Sequence, residues 1–208
     1  MINAQTDINT TISEVQLFIE QLKKDLPEVF AKENKTTGCQ AGPGEKKILF
    51  KGILHDYKLV RDPESAPEVV ISENCIRVHT GSAAGNAPVA LLENWMRRTA
   101  EDTLAARVAY WSELMGVTYN RVTVKDQKTL WGSCSEKSNL NFSWRVIKAP
   151  ESVLDYLVIH ELAHLKHLNH KTEFWQFVEQ FCPDYKNRRR WLHEYKDSLF
   201  TELPTTDL

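Results

Sequence analysis

The chain has no C-x-x-C pair, no apolar run that approaches the ~20 residues needed to span a bilayer, and a net charge of only −2. Each absence excludes something. Cys39, Cys75, Cys134 and Cys182 are too scattered for a disulfide framework or a thiolate zinc site, so free thiols in a reducing compartment are expected. The opening Met-Ile-Asn-Ala-Gln-Thr-Asp has neither a basic n-region nor an apolar h-region, which predicts a cytoplasmic protein with no membrane association. Acidic and basic residues are mixed along the chain, so bulk charge does not hold a polyanion, and any nucleic-acid contact would be local. Over 208 residues, 42% of them apolar, the chain can bury one sizeable core.

Apolar residues recur at helical spacing over residues 13–26, and a polar stretch rich in chain breakers follows over 32–46, reading as a linker. The expected division is therefore an N-terminal helix and linker, 1–46, and a main domain, 47–208. The main domain divides into a β-hairpin lobe, 47–85, and a core, 86–200. In the lobe, strands over 48–50 and 54–60, then 69–71 and 76–79, are joined by turn residues. A long helix is expected over 88–114, with Gly116 as its stop. Strands over 121–125, 129–131 and 140–146 precede a helix opened by Pro150 and broken near Asn169, and two more helices follow over 171–181 and 184–200. The fold class is α+β: small antiparallel sheets, then a histidine-bearing helix and C-terminal helices.

Histidine is distributed unevenly, with His160, His164, His167 and His170 falling within eleven residues. In His160-Glu161-Leu162-Ala163-His164 the two imidazoles are about 40° apart around a helix and one turn along it, so both reach one ion. The flanking Tyr156, Leu157, Val158, Ile159, Leu162 and Leu165 are apolar, which suits a buried helix whose polar groups need a ligand. A catalytic zinc requires a third protein ligand and an open position. His170 has the spacing to supply that ligand if the chain turns back at Leu168-Asn169, where asparagine tolerates a left-handed conformation. Glu173 and Glu179 are rivals, and His167 reads as an exposed or supporting residue. Glu161, beside the ligands, would take a proton from the zinc-bound water. Tyr185, His193, Tyr195 and Arg145 are candidates to stabilise an oxyanion.

Together, Trp131-Gly132-Ser133-Cys134, the run from Asn139 to Arg145, Ala149-Pro150, the histidine motif, His170-x-x-x-Phe174-Trp175 and Pro183-Asp184-Tyr185 resemble the YgjP-like family of metal-dependent hydrolases. The resemblance runs over about residues 47–199. It implies a zincin-like metallopeptidase domain with one zinc on His160, His164 and His170 and with Glu161 as base. Gly132 reads as a point of close approach for backbone or ligand. Cys134 reads as a buried small hydrophobe rather than a nucleophile. The strand from Leu140 to Arg145 is a candidate edge for an added peptide strand, and Asn141, Arg145 and Tyr185 are candidate substrate contacts.

Three functions compete. The first is a zinc peptidase acting on peptides or proteins. The second is a zinc hydrolase of a small phosphorylated substrate such as a nucleoside triphosphate, with Arg145 and Arg188, Arg189 and Arg190 as phosphate contacts. The third is a binding module with a structural metal, which an intact Glu161 disfavours because such a site needs no base.

Overall fold

In the computed structural model the described residues are 47–72, 74–82, 87–201 and 203. The helix expected over 13–26 and the linker over 32–46 lie outside them. The first sheet contains β1 (Lys47–Phe50), β2 (Ile53–Val60), β3 (Glu68–Ser72) and β4 (Cys75–His79), in the order β1-β2-β4-β3. Its two hairpins form as expected. They are joined, however, by parallel pairing of β2 with β4, Asp56 opposite Cys75 through Val60 opposite His79, so the sheet is mixed rather than antiparallel. Cys75 is disulfide-bonded, so free thiols hold for Cys134 and Cys182 but not at this position.

The two-residue loop between β1 and β2 has positive φ at both Lys51 (48°) and Gly52 (81°), the left-handed geometry that matches strand twist in a tight hairpin. This tip is docked. The N–H groups of Lys51 and Gly52 donate to the carbonyls of Ile147 and Lys148 at 3.0 and 2.8 Å, and a Cβ on Gly52 would meet Pro150 Cγ at 2.6 Å. The hairpin therefore braces the entrance to the histidine helix.

Helix α1 (Ala87–Met115) buries Leu92, Met96, Ala100, Leu104 and Val108, one residue per turn, along its inner face. Gly116, at φ 59°, ends it. The N–H of Gly116 reaches Glu113 O and that of Val117 reaches Ser112 O, which satisfies carbonyls the helix leaves open. The second sheet contains β5 (Arg121–Lys125), β6 (Gly132–Cys134) and β7 (Asn139–Ser143), ordered β5-β7-β6, with β5 and β7 parallel. The strand expected over 129–131 starts at Gly132 instead, and the one expected over 140–146 gives way at Trp144 to a 3-10 turn, Trp144–Lys148.

Helix α2 (Glu151–Ala163) carries His160 and is capped by His164, and α3 (Thr172–Phe181), α4 (Tyr185–Glu194) and α5 (Lys196–Phe200) follow. The last expected helix is thus broken at Tyr195. Helix α2 is buried almost all round, with Val153, Leu154, Leu157, Val158, Ile159 and Leu162 at most 4% exposed. Its register is fixed by polar ties. Asp155 accepts from Nε and Nη2 of Arg107 and from Trp111 Nε1 (3.0 Å), and Arg188 donates to Ser152 Oγ. Asp155→Ala leaves three donor groups on two partly buried side chains, Arg107 and Trp111, without their acceptor and should cost about 1–3 kcal/mol. For a chain of this size a Tm lowered by roughly 2–4 °C per kcal/mol, read by calorimetry, is the expected result. Among the described residues no helix is long and apolar enough to cross a membrane.

Candidate metal centre

Burial, with the charges of His164 and His170 adding to it, brings the pKa of His160 down to about 3. Burial also lowers the pKa of His164 and of His170. All three imidazoles therefore offer lone pairs at neutral pH. One ligand atom from each lies within 4.8 Å of the others, and Nε2 of His160 and Nε2 of His170 are 3.0 Å apart. Among the described residues this is the one cluster of three or more candidate ligands, and neither Glu173 nor Glu179 belongs to it.

The chain builds the triad in two steps. Helix α2 loosens after Ala163 through bonds from Leu165 N to Leu162 O and Lys166 N to Ala163 O, and the chain then bends at Leu168 and Asn169. The reversal falls where expected but without a left-handed asparagine, since among the described residues only Lys51 and Ser138 are non-glycines with positive φ. Instead, Asn169 Oδ1 accepts from Lys171 N at 3.3 Å and holds the bend. The same reversal brings the carbonyl of His167 to His164 Nδ1 at 3.1 Å. A carbonyl only accepts, so Nδ1 carries the proton and Nε2 keeps the free lone pair. His167 thus contributes through its backbone, with its ring against Phe177.

His170 is the exposed member and is held by aromatics. Trp175 stacks on it at 5.6 Å and 29°, and the indole N–H donates to His170 O at 3.1 Å. Tyr185 stacks behind Trp175 at 5.1 Å. Phe174, fully buried, touches the rings of all three histidines at 4.6–5.0 Å and closes the floor. The His170-x-x-x-Phe174-Trp175 segment therefore has a physical reason: it orients the third imidazole.

Glu161 is 5% exposed, and burial alone raises its pKa to about 8. It lies against Gly132. A Cβ built on that glycine would sit 2.7 Å from Oε1 and 2.8 Å from Cγ of Glu161. The close approach expected at Gly132 is to the carboxylate. Gly132→Ala must push Glu161 aside, so we expect at least tenfold slower turnover with unchanged metal content, because misplacing a reacting group by ~1 Å costs up to ~100-fold. Parallel elemental analysis and rate measurement on the variant check this.

The site passes a test of fit to a divalent cation. Three neutral imidazoles converge beside a buried carboxyl that has no cationic hydrogen-bond partner among the described residues, and Nδ1 of His160 is buried without a partner. Imidazole donors of this kind suit a divalent transition metal, and a positive charge there would favour the anionic form of Glu161.

Against His160 and Glu161 lies a cavity of about 240 Å3, lined also by Leu130, Trp131, Tyr156, Arg189 and His193 but not by His164 or His170. A larger one, about 480 Å3, lies elsewhere, against Ile48, Lys148 and Tyr195, and has no acid, histidine or cysteine in its lining. Tyr195 is thus outside the histidine cavity and His193 inside it. Arg145 is also outside it: it is 6% exposed, paired with Asp126 and stacked over Trp144 at 4.6 Å. Tyr185 acts behind Trp175. Asn141 donates to Ser133 Oγ at 3.3 Å within the sheet.

Strand β7, expected as an edge, is central, paired with β5 on one side and β6 on the other. Among the described residues the free edge beside the site belongs to β6. Cys134, on β6, has its thiol pushed up by burial and then by the nearby Glu161, which keeps it protonated and unfit as a nucleophile. Sequence reading gave Tyr156 and Trp175 no role in the site and offered Arg189 only as one of three phosphate contacts. The signal for Arg189 was its place midway between Tyr185 and His193 at steps of four on one helix face.

The YgjP-like, metallopeptidase domain family matches residues 2–195. The chain belongs to this family. The YgjP-like match also covers N-terminal residues outside the 47–199 span of the sequence resemblance. Membership makes the protein a metal-dependent hydrolase of the metallopeptidase kind. Two solved structures are similar over part of it. The metallopeptidase zymogen abylysin of Pyrococcus abyssi is 25% identical, covering 46% of this chain and 93% of that chain, with a TM-score of 0.38. The metallopeptidase zymogen jannalysin of Methanocaldococcus jannaschii is 20% identical, covering 42% and 94%, with a TM-score of 0.36. Superpositions this loose carry no argument about the YgjP-like chain. No curated protein matches it.

Proposed function

We propose that the protein is a zinc peptidase of zincin type in which His160, His164 and His170 hold the ion and Glu161 is the general base. The observation that carries this reading is the convergence of three neutral imidazoles next to a buried carboxyl that has no cationic partner among the described residues. Zinc bound there would lower the pKa of water toward ~7 and polarise a carbonyl oxygen. Glu161, pressed against Gly132 and shielded from solvent, takes the proton of the attacking water and passes it to the departing amine. His193, in the cavity wall, is placed to donate to the developing oxyanion. The free edge of β6 beside α2 offers backbone groups along which an extended peptide aligns. The phosphorylated-substrate alternative is weakened because Arg145 and Arg188 are committed to Asp126 and Asp184.

Elemental analysis should find one zinc per chain, lost progressively below pH ~6 as protons compete for the imidazoles. The same zinc-loaded protein, offered unfolded protein, a peptide library and nucleoside triphosphates, should cleave peptide bonds. A chain without micromolar or tighter zinc binding at neutral pH, or one that turns over only nucleotides, would remove this reading.

A further inference from the structure

We propose that Arg189 is the anion-recognising residue of the histidine cavity, holding a carboxylate of the bound peptide, either its C-terminus or an Asp or Glu side chain. The assignment rests on the peptidase reading above and names the substrate feature that the site selects.

The three successive arginines on α4 have different surroundings. Arg188 is tied to Asp184 and Ser152, which fixes the helix to α2. Arg189 forms no ion pair with a carboxylate among the described residues. It lines the cavity that contains His160 and Glu161, one turn from Tyr185 on one side and from His193 on the other. Arg190 is exposed and does not line that cavity. The guanidinium of Arg189 lies over the ring of Trp175 at 5.1 Å. Trp175 is itself in ring contact with His170 and Tyr185, so the support beneath Arg189 is held in place. A guanidinium lying over a ring keeps its N–H edge free for a planar acceptor, the geometry that suits a carboxylate.

Electrostatics gives the cation a purpose. Arg189 is the one arginine or lysine in the lining of the cavity that borders the imidazole cluster of His160, His164 and His170. A divalent ion on those imidazoles would face a second positive charge. That repulsion is relieved when the substrate brings an anion to the guanidinium, so an anionic peptide gains attraction and removes repulsion together. The remaining lining residues favour a peptide over a polyphosphate. Leu130, Trp131, Leu157 and Leu192 are apolar, and one arginine matches one carboxylate, whereas a triphosphate presents several charges.

The test uses zinc-loaded full-length Glu161→Gln protein, so that ligands bind without being cleaved. Titration calorimetry compares N-acetylated tetrapeptides of Ala and Leu in three forms: free C-terminus, C-terminal amide, and amide with Glu at each position in turn. At least one carboxylate-bearing peptide should bind about tenfold or more tightly than the neutral amide, the fold-change of one charge-assisted bond. Which form gains identifies the terminus or the side chain as the source. Arg189→Gln should abolish that advantage and leave the neutral amide's Kd unchanged, and Arg190→Gln should preserve it. Equal binding of charged and neutral peptides, or an advantage that survives Arg189→Gln, overturns the assignment of Arg189 while leaving the peptidase reading intact. If no peptide binds but ATP does, in a manner dependent on Arg189, the peptidase reading and the carboxylate assignment fall together.

Discussion

Glu161→Gln should retain one zinc per chain and lose hydrolysis by ~100-fold to ~10,000-fold, the range that a positioned general base contributes. The amide has the same shape as the carboxyl, so the contact with Gly132 persists and the fold is undisturbed. It has no proton affinity, so the water loses its acceptor. The buried position makes this a demanding residue to replace, because burial holds the carboxyl's pKa near 8 in the absence of an ion and water cannot easily substitute for it. Metal content by elemental analysis and turnover of a cleaved peptide, measured on one preparation, separate the outcomes. Full turnover in the variant would require another base. Loss of zinc together with activity would instead place Glu161 among the ligands.

The second large effect concerns the third imidazole. His170→Ala should weaken zinc binding by well over 100-fold, because it removes a bond to the metal, whereas loss of a supporting partner typically costs ~10–100-fold. His167→Ala should change it little, since what His167 supplies to His164 is its backbone carbonyl, which the substitution keeps. Glu173→Ala should be neutral, because that carboxylate lies outside the cluster of candidate ligands. Trp175→Ala is the informative intermediate. It removes the ring stacked on His170 and the hydrogen bond to its carbonyl, so His170 is present but loosely held, and a loss inside the ~10–100-fold range is expected. Dissociation constants from a competing chelator give the order. If Glu173→Ala or His167→Ala is the most damaging, the triad is built differently.

Local elements were legible because their signals are local. The i, i+4 histidines, the apolar run around them and the Gly116 stop on α1 are each written in a few adjacent residues, and the structure carries each of them. Elements whose state depends on partners were read less well. Residues 129–131 have strand-like composition, yet pairing with β7 begins at Gly132. The run from Leu140 to Val146 alternates like a strand, but at Trp144 the chain tightens into a turn that packs on α1 and α2. Parallel pairing within both sheets was invisible, because pairing direction belongs to the path of the chain and not to any segment.

By itself the sequence determined the α+β order of elements and the pairing of two imidazoles with a carboxyl on one apolar helix, since spacing on a helix sets which side chains share a face. It narrowed the third ligand to His170, Glu173 and Glu179 by distance along the chain. Only the tertiary structure separates these in space: the bend at Leu168-Asn169 and the stack of Trp175 on Tyr185 bring His170 to the other two imidazoles, while Glu173 stays outside the cluster. It also assigned the arginines: Arg145 and Arg188 meet carboxylates and are spent on the fold, whereas Arg189 meets an aromatic face and keeps its charge available beside the histidines. The reason is common to both cases. A side chain's chemistry depends on which groups from distant segments reach it, and long-range contacts of that kind have no signature in the neighbouring residues.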